Sequence, residues 1–160
     1  MLKEISCGNG ITLRPCRAEW ALDCALYVLK DWQTELSLAT QSAKIPAAIT
    51  GFQAQSPEWT VVALQLASDF LLALPGDLLA VRMGSRLHSG QIALLNVDGL
   101  LVLRRVFVIG PGWVLQPVNG GEAGGESLVL PTAVSVQGVV MGIAMENLWY
   151  QIITANKPKR

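Results

Sequence analysis

The sequence predicts a mainly β domain preceded by an amphipathic helical segment. Three observations carry that prediction. Across residues 74–145 short apolar runs recur at regular spacing: LLAVRM, QIALLNV, LLVLRRVFVI, WVLQPV and VSVQGVVMGIAM. Turn signals cut them apart at Pro75-Gly76-Asp77, Ser89-Gly90, Asp98-Gly99, Gly110-Pro111-Gly112 and Asn119-Gly120-Gly121. Gly reaches positive φ without a Cβ penalty and Pro presets φ, so chains reverse at such points. Short β-rich runs between them read as a sandwich or barrel-like domain. Ahead of this region, from residue 17 to about 39, apolar residues recur instead at three- and four-residue steps, the spacing of a helix face.

Composition sets the outer limits. At 160 residues, one domain with a small appended element is expected. Hydrophobic residues make up 51% of the chain and charged ones 15%, which calls for a well-filled core or a sizeable buried interface. The formal net charge of +0 argues against a large nonspecific nucleic-acid footprint. No apolar run reaches the roughly 18 residues of a membrane span. The opening MLKEISCGNGITL lacks the long apolar stretch of a secretory signal, and a cytoplasmic protein is expected. Cys7, Cys16 and Cys24 are odd in number and form no CxxC pair, so free thiols are expected rather than a disulfide framework. No His/Cys/Asp/Glu cluster suggests a metal, and no cofactor is expected.

The elements follow in order. Residues 1–16 read as irregular, with a turn at Gly8-Asn9-Gly10 and a short strand or lead-in at Ile11-Thr12-Leu13. Pro15 suits a first helical turn, where its missing N–H does no harm. In the helical segment Leu22, Leu26, Leu29 and Leu36 recur on one side, widened by Trp20, Cys24, Tyr27 and Val28. Glu19, Asp23, Lys30, Asp31, Thr34 and Glu35 take the other side. This makes one amphipathic helix, or two with a break near Trp32, that docks a partner or packs on the β-domain. It is acidic and lacks the tight turn of a helix-turn-helix, so direct DNA reading is not expected. Residues 40–58 are linker-like, with room for a short strand over residues 45–52. Glu58-Trp59-Thr60-Val61-Val62-Ala63-Leu64-Gln65-Leu66 reads as a buried strand, with aromatic and β-branched residues. The GGEAGGES stretch is a polar hairpin tip, because no GK[ST] and no helix follow to form a phosphate cradle. Trp149-Tyr150-Gln151-Ile152-Ile153 suggests an added strand, and the end is basic at Lys157, Lys159 and Arg160.

The order of Gly76-Asp77-Leu78-Leu79-Ala80-Val81, Ser89-Gly90-Gln91-Ile92, Asp98-Gly99, Arg104-Arg105 and Val136-Gln137-Gly138-Val139-Val140-Met141-Gly142 carries a resemblance. It resembles the C-terminal domain of LexA-type repressors and UmuD, the S24 peptidase family. The likeness implies an S24-like β-domain over residues 61–145. Residues 1–45 would be an N-terminal helical extension, 46–60 a linker and lead-in strand, and 146–160 a tail.

Such peptidases cut their own chain with a Ser/Lys dyad, in which a desolvated lysine takes the serine proton and returns it to the leaving amine. The resemblance places the nucleophile at Ser68, upstream of the Gly76-Asp77 turn. There the family has Gly-Asp/Met-Ser-Met-x-Pro, while this chain has Leu66-Ala67-Ser68-Asp69-Phe70-Leu71, without the glycine or the methionine. Ser68 read without the resemblance is a turn serine capping the next segment. The base position falls on Arg104, where the family has lysine. Arginine is effectively never deprotonated in proteins, so it cannot accept that proton. Lys3, Lys30, Lys44, Lys157 and Lys159 all lie outside the β-core by sequence; a tertiary contact from Lys44 would be a different design. The family's scissile Ala-Gly or Cys-Gly is missing between Lys30 and Lys44. Cys7-Gly8 lies far upstream, Ala123-Gly124 follows the serine, and Thr50-Gly51-Phe52 lacks the Ala or Cys. His88, the single histidine, reads as a surface turn residue.

The expectation is a non-catalytic S24-like protein that dimerises and binds partners in DNA-damage or phage and mobile-element regulation. The resemblance implies as partners a second copy, a RecA filament, a Y-family polymerase subunit or an S24-type repressor. Arg104, Arg105, the loop from Glu122 to Glu126 and the segment from Arg17 are the surfaces expected to be exposed. Two other readings compete. One is a working autoprotease with Ser68 and an unconventional base. The other is a plain β-barrel ligand or nucleic-acid module, which requires a concave aromatic or basic face.

Overall fold

The computed structural model describes residues 3–8, 10–17, 19–30, 36–65, 74–84, 86–118 and 127–155. Its strands are β1 (Ile5–Ser6), β2 (Ile11–Pro15), β3 (Leu22–Leu29), β4 (Ser37–Ile45), β5 (Trp59–Leu64), β6 (Leu78–Met83), β7 (Ile92–Val97), β8 (Leu100–Ile109), β9 (Gly112–Pro117), β10 (Leu128–Leu130), β11 (Ser135–Met145) and β12 (Leu148–Thr154). The one α-helix among the described residues is the single turn α1 (Ala47–Thr50). The protein is therefore mainly β, as its turn signals predict. No described helix is long and apolar enough to cross a membrane.

The strands join one mixed sheet whose main path runs β10-β9-β8-β7-β11-β6-β5-β3-β4, with β12, β2 and β1 branching from β11. The β3–β5 pair is parallel and the other pairs are antiparallel. The long β11 organises the middle. One flank pairs with β6; the other pairs with β7 over Ser135–Val140 and then with β12 over Gly142–Met145. β12 in turn pairs with β2. Two register shifts let β11 serve these neighbours, one between Val136 and Gly138 and one between Val140 and Gly142. Gly138 is needed at the first because a Cβ there would stand 2.8 Å from the Arg82 carbonyl oxygen.

The helical segment expected from residue 17 to about 39 is not formed: its described residues include β3 and the start of β4. β3 lies between β5 and β4 and is apolar on both faces. Leu22, Cys24 and Leu26 pack under α1 with Ile45, Ile49 and Val61, while Tyr27 and Leu29 join the opposite core. Superposing the two faces in one sequence produces steps of three and four, which imitate a helix stripe. Residues 45–52, read as a short strand, instead contain α1. Pro15 ends β2 opposite Tyr150, a strand terminus being a place where its absent N–H is tolerated.

The largest cluster draws Leu13 from β2, Leu29 from β3, Leu64 from β5, Leu79 from β6, Leu103 from β8 and Ile143 from β11. Strands far apart in the sheet meet in it, so the sheet curls around this core. The opposite face carries the cluster under α1 and a further one formed by Ala93, Leu95, Val106 and Leu115. The strands of residues 1–45 and 146–155 thus belong to the same sheet as those of residues 61–145.

Candidate functional site

β7 and β8 form a hairpin around Asp98 (φ 53°) and Gly99 (φ 83°), with Val97 opposite Leu100. Both turn residues have positive φ, the geometry that matches strand twist and that Asp-Gly favours. The hairpin sets Arg104 opposite Ala93 and Arg105 opposite Ile92. Because side chains alternate across a strand, the two arginines point to opposite faces.

Arg104 is half-buried, and its Nη1 donates to the Leu103 carbonyl at 2.8 Å. Its row crosses the sheet through Ala93, Val139 and Arg82 to Trp59, at the start of β5. Leu64, at the other end of β5, lies about 17 Å along the strand from that row. Ser68 lies outside the described residues.

Arg105 was expected at the surface and is instead fully buried, at 0% exposure. It shares the face of Leu101, Leu103 and Phe107. Its Nε donates to the Gly90 carbonyl at 2.8 Å, Nη2 donates to the Ala155 carbonyl, and its guanidinium stands 4.8 Å from the Phe107 ring centroid. Burial pulls its proton affinity below the usual guanidinium range, yet a guanidinium keeps its charge under ordinary conditions. Arg105 therefore clasps the turn before β7 to the end of β12. The strand parity of β8 is the sequence signal that could have found it.

The other candidates scatter. His88 is exposed, and its backbone N–H donates to Gln91 Oε1 at 2.8 Å. Lys44 is exposed on the outermost strand β4, opposite Asp23 and toward the Trp59 end of β5. Lys30 is closer than its sequence position suggests. It follows β3, and Gln65 N–H donates to the Leu29 carbonyl at 3.1 Å, so Lys30 lies at the Leu64 end of β5. Lys30 is exposed, however, and lacks the apolar enclosure a base lysine requires. Cys7-Gly8 is an unsuitable scissile pair, since Cys7 is buried and the turn after it is closed by a hydrogen bond from Ile11 N–H to the Gly8 carbonyl. The loop from Glu122 to Glu126 lies outside the described residues.

A cleft of about 460 Å³ opens beside the Gly76-Asp77 turn, with Ala144, Glu146, Asn147 and Trp149 among its walls. Arg104 is not among its described lining. Asp77 and Glu146 make it acidic, the opposite of what a nucleic-acid groove requires. Trp20 and Phe52, 76% and 77% exposed, flank a smaller slot at the start of β3, and Trp20 holds a φ of 55° that bulky residues seldom adopt. No sequence pattern marked that pair. Burial raises the thiol pKa of Cys7, Cys16 and Cys24, so none is primed as a thiolate nucleophile. Among the described residues no group of His, Cys, Asp and Glu could hold a metal ion.

Comparison with models of known protein families gives no match, and comparison with curated proteins gives none either.

Proposed function

We propose that this chain is a non-catalytic, S24-like protein of the LexA/UmuD kind, acting through dimerisation and protein contacts in DNA-damage or phage and mobile-element regulation. One observation carries the reading: a guanidinium, Arg104, occupies the β8 position at which the resemblance calls for a lysine base. A residue that keeps its proton cannot activate a serine hydroxyl. The mainly β architecture and the hairpin turn at Asp98-Gly99 support the S24 likeness. Its partners are a second copy together with a RecA filament, a Y-family polymerase subunit or an S24-type repressor, and its place is the cytoplasm.

The test is a gel. Purified chain incubated with activated RecA, or held at alkaline pH, is expected to stay a single band, with Ser68→Ala behaving identically. Fragments from the wild type that vanish in Ser68→Ala would overturn the reading. A self-cleaving alternative draws on Lys30, which follows β3 at the Leu64 end of β5. It requires that Lys30→Ala abolish the fragments as completely as Ser68→Ala does.

A further inference from the structure

The turn before β7 and the end of β12 border a polar cleft of about 580 Å³, lined among the described residues by His88, Ser89, Gln91 and Thr154. One wall is a tight turn. Gln91 N–H donates to the His88 carbonyl at 3.1 Å, and His88 N–H donates to Gln91 Oε1 at 2.8 Å. Gly90, third in the turn, holds the φ of 95° that glycine supplies there. The other wall is a strand end, where Thr154 pairs with Ile11 and Ala155 N–H donates to the Gly10 carbonyl at 2.9 Å. Arg105 ties the two walls together. The carbonyls it donates to, Gly90 and Ala155, adjoin Ser89, Gln91 and Thr154 in the chain. The cleft therefore stands on a fixed frame.

Its chemistry is one-sided. Every lining side chain can donate a hydrogen bond, and none is a carboxylate. Ser89 Oγ accepts from Val108 N–H at 2.9 Å, which leaves its own O–H as a donor. Thr154, half-buried, brings a second hydroxyl. Behind both walls lies Arg105, the one buried charged residue among those described. A charge held away from water is screened less than a solvated one, so it favours an anion beside it.

We infer that this cleft binds a phosphate group, either the free ion or one carried on a small molecule. A phosphate presents three strong acceptor oxygens and can engage His88, Ser89 and Thr154 together. The cleft owes nothing to the proposed function, which gives these residues no role.

His88 is the single histidine, so its ring resonances report on the cleft without ambiguity. Inorganic phosphate, ribose 5-phosphate and ribose would each be titrated into the full chain at constant pH and ionic strength. A phosphate-bearing probe should shift the ring signals saturably, and ribose should not. Saturation by inorganic phosphate assigns the site to the free ion; saturation by ribose 5-phosphate alone assigns it to an ester. Thr154→Val keeps the shape of the side chain and should weaken binding about tenfold. Thr154→Glu sets a carboxylate in the wall and should abolish it. The amide spectrum checks that each variant is folded. No saturable shift with either phosphate probe, an equal shift with ribose, or wild-type affinity in either folded variant overturns the site.

Discussion

Arg105 sits on the strand parity of Leu101, Leu103 and Phe107, so its side chain enters the core and must bring its hydrogen-bond partners with it. Those partners are carbonyl oxygens, at Gly90 and Ala155. Arg105→Ala removes the donor and leaves the buried Gly90 carbonyl without it, worth about 1–3 kcal/mol, and empties the space the side chain fills. A loss of roughly 3 kcal/mol in unfolding free energy is expected, read from the urea midpoint. Arg105→Lys should recover only part of it, since an ammonium lacks the planar fork that reaches two carbonyls at once. Arg104→Ala, on the half-buried face, should cost about 1 kcal/mol or less. Equal losses at the two positions would remove the distinction between clasp and candidate site. Sequence made the two look alike because a basic dipeptide carries no burial signal of its own; the alternation of β8 around it does.

At the scale of elements, turn chemistry was the legible part. Asp98-Gly99 and Gly110-Pro111-Gly112 stand between paired strands, with Val97 opposite Leu100 and Ile109 opposite Gly112. β3 was illegible for a physical reason: it buries Cys24 on one face and Leu29 on the other, so its apolar positions do not keep to one face and fall at helical steps. The β11–β12 hairpin was also missed as a hairpin. Its turn is Glu146 (φ 52°) and Asn147 (φ 64°), with Met145 opposite Leu148, and it contains neither glycine nor proline. Both residues hold the left-handed geometry in which glycine is free of strain. Asn147→Gly should therefore stabilise the protein by about 0.5–1 kcal/mol, and Asn147→Val should destabilise it by about 1–2 kcal/mol. Thermal melting of the pair checks both signs. If both variants melt with the wild type, the turn is not holding the two strands in register.

For the whole molecule, the question is whether residues 1–45 can be separated from the rest, as an extension could be. The sheet argues that they cannot. β3 is the parallel partner of β5, and β2 is the partner of β12, so removing residues 1–45 bares the flanks of two core strands at once. It also removes Ile11, Leu13 and Leu29 from the largest cluster, where the two leucines are 0% exposed. Losing one buried leucine or isoleucine to a cavity costs about 2–5 kcal/mol, and a domain of this size holds only about 5–15 kcal/mol in all. Residues 46–160 expressed alone should thus show no cooperative urea transition, bind a hydrophobic dye and lose near-UV tryptophan dichroism. A sharp transition near that of the full chain would instead mean that the β-core closes without β2 and β3. The pairing argues for the first outcome, because each missing strand leaves its neighbour with unpaired backbone groups beside newly exposed apolar surface, two losses that no local rearrangement of β5 or β12 can offset together.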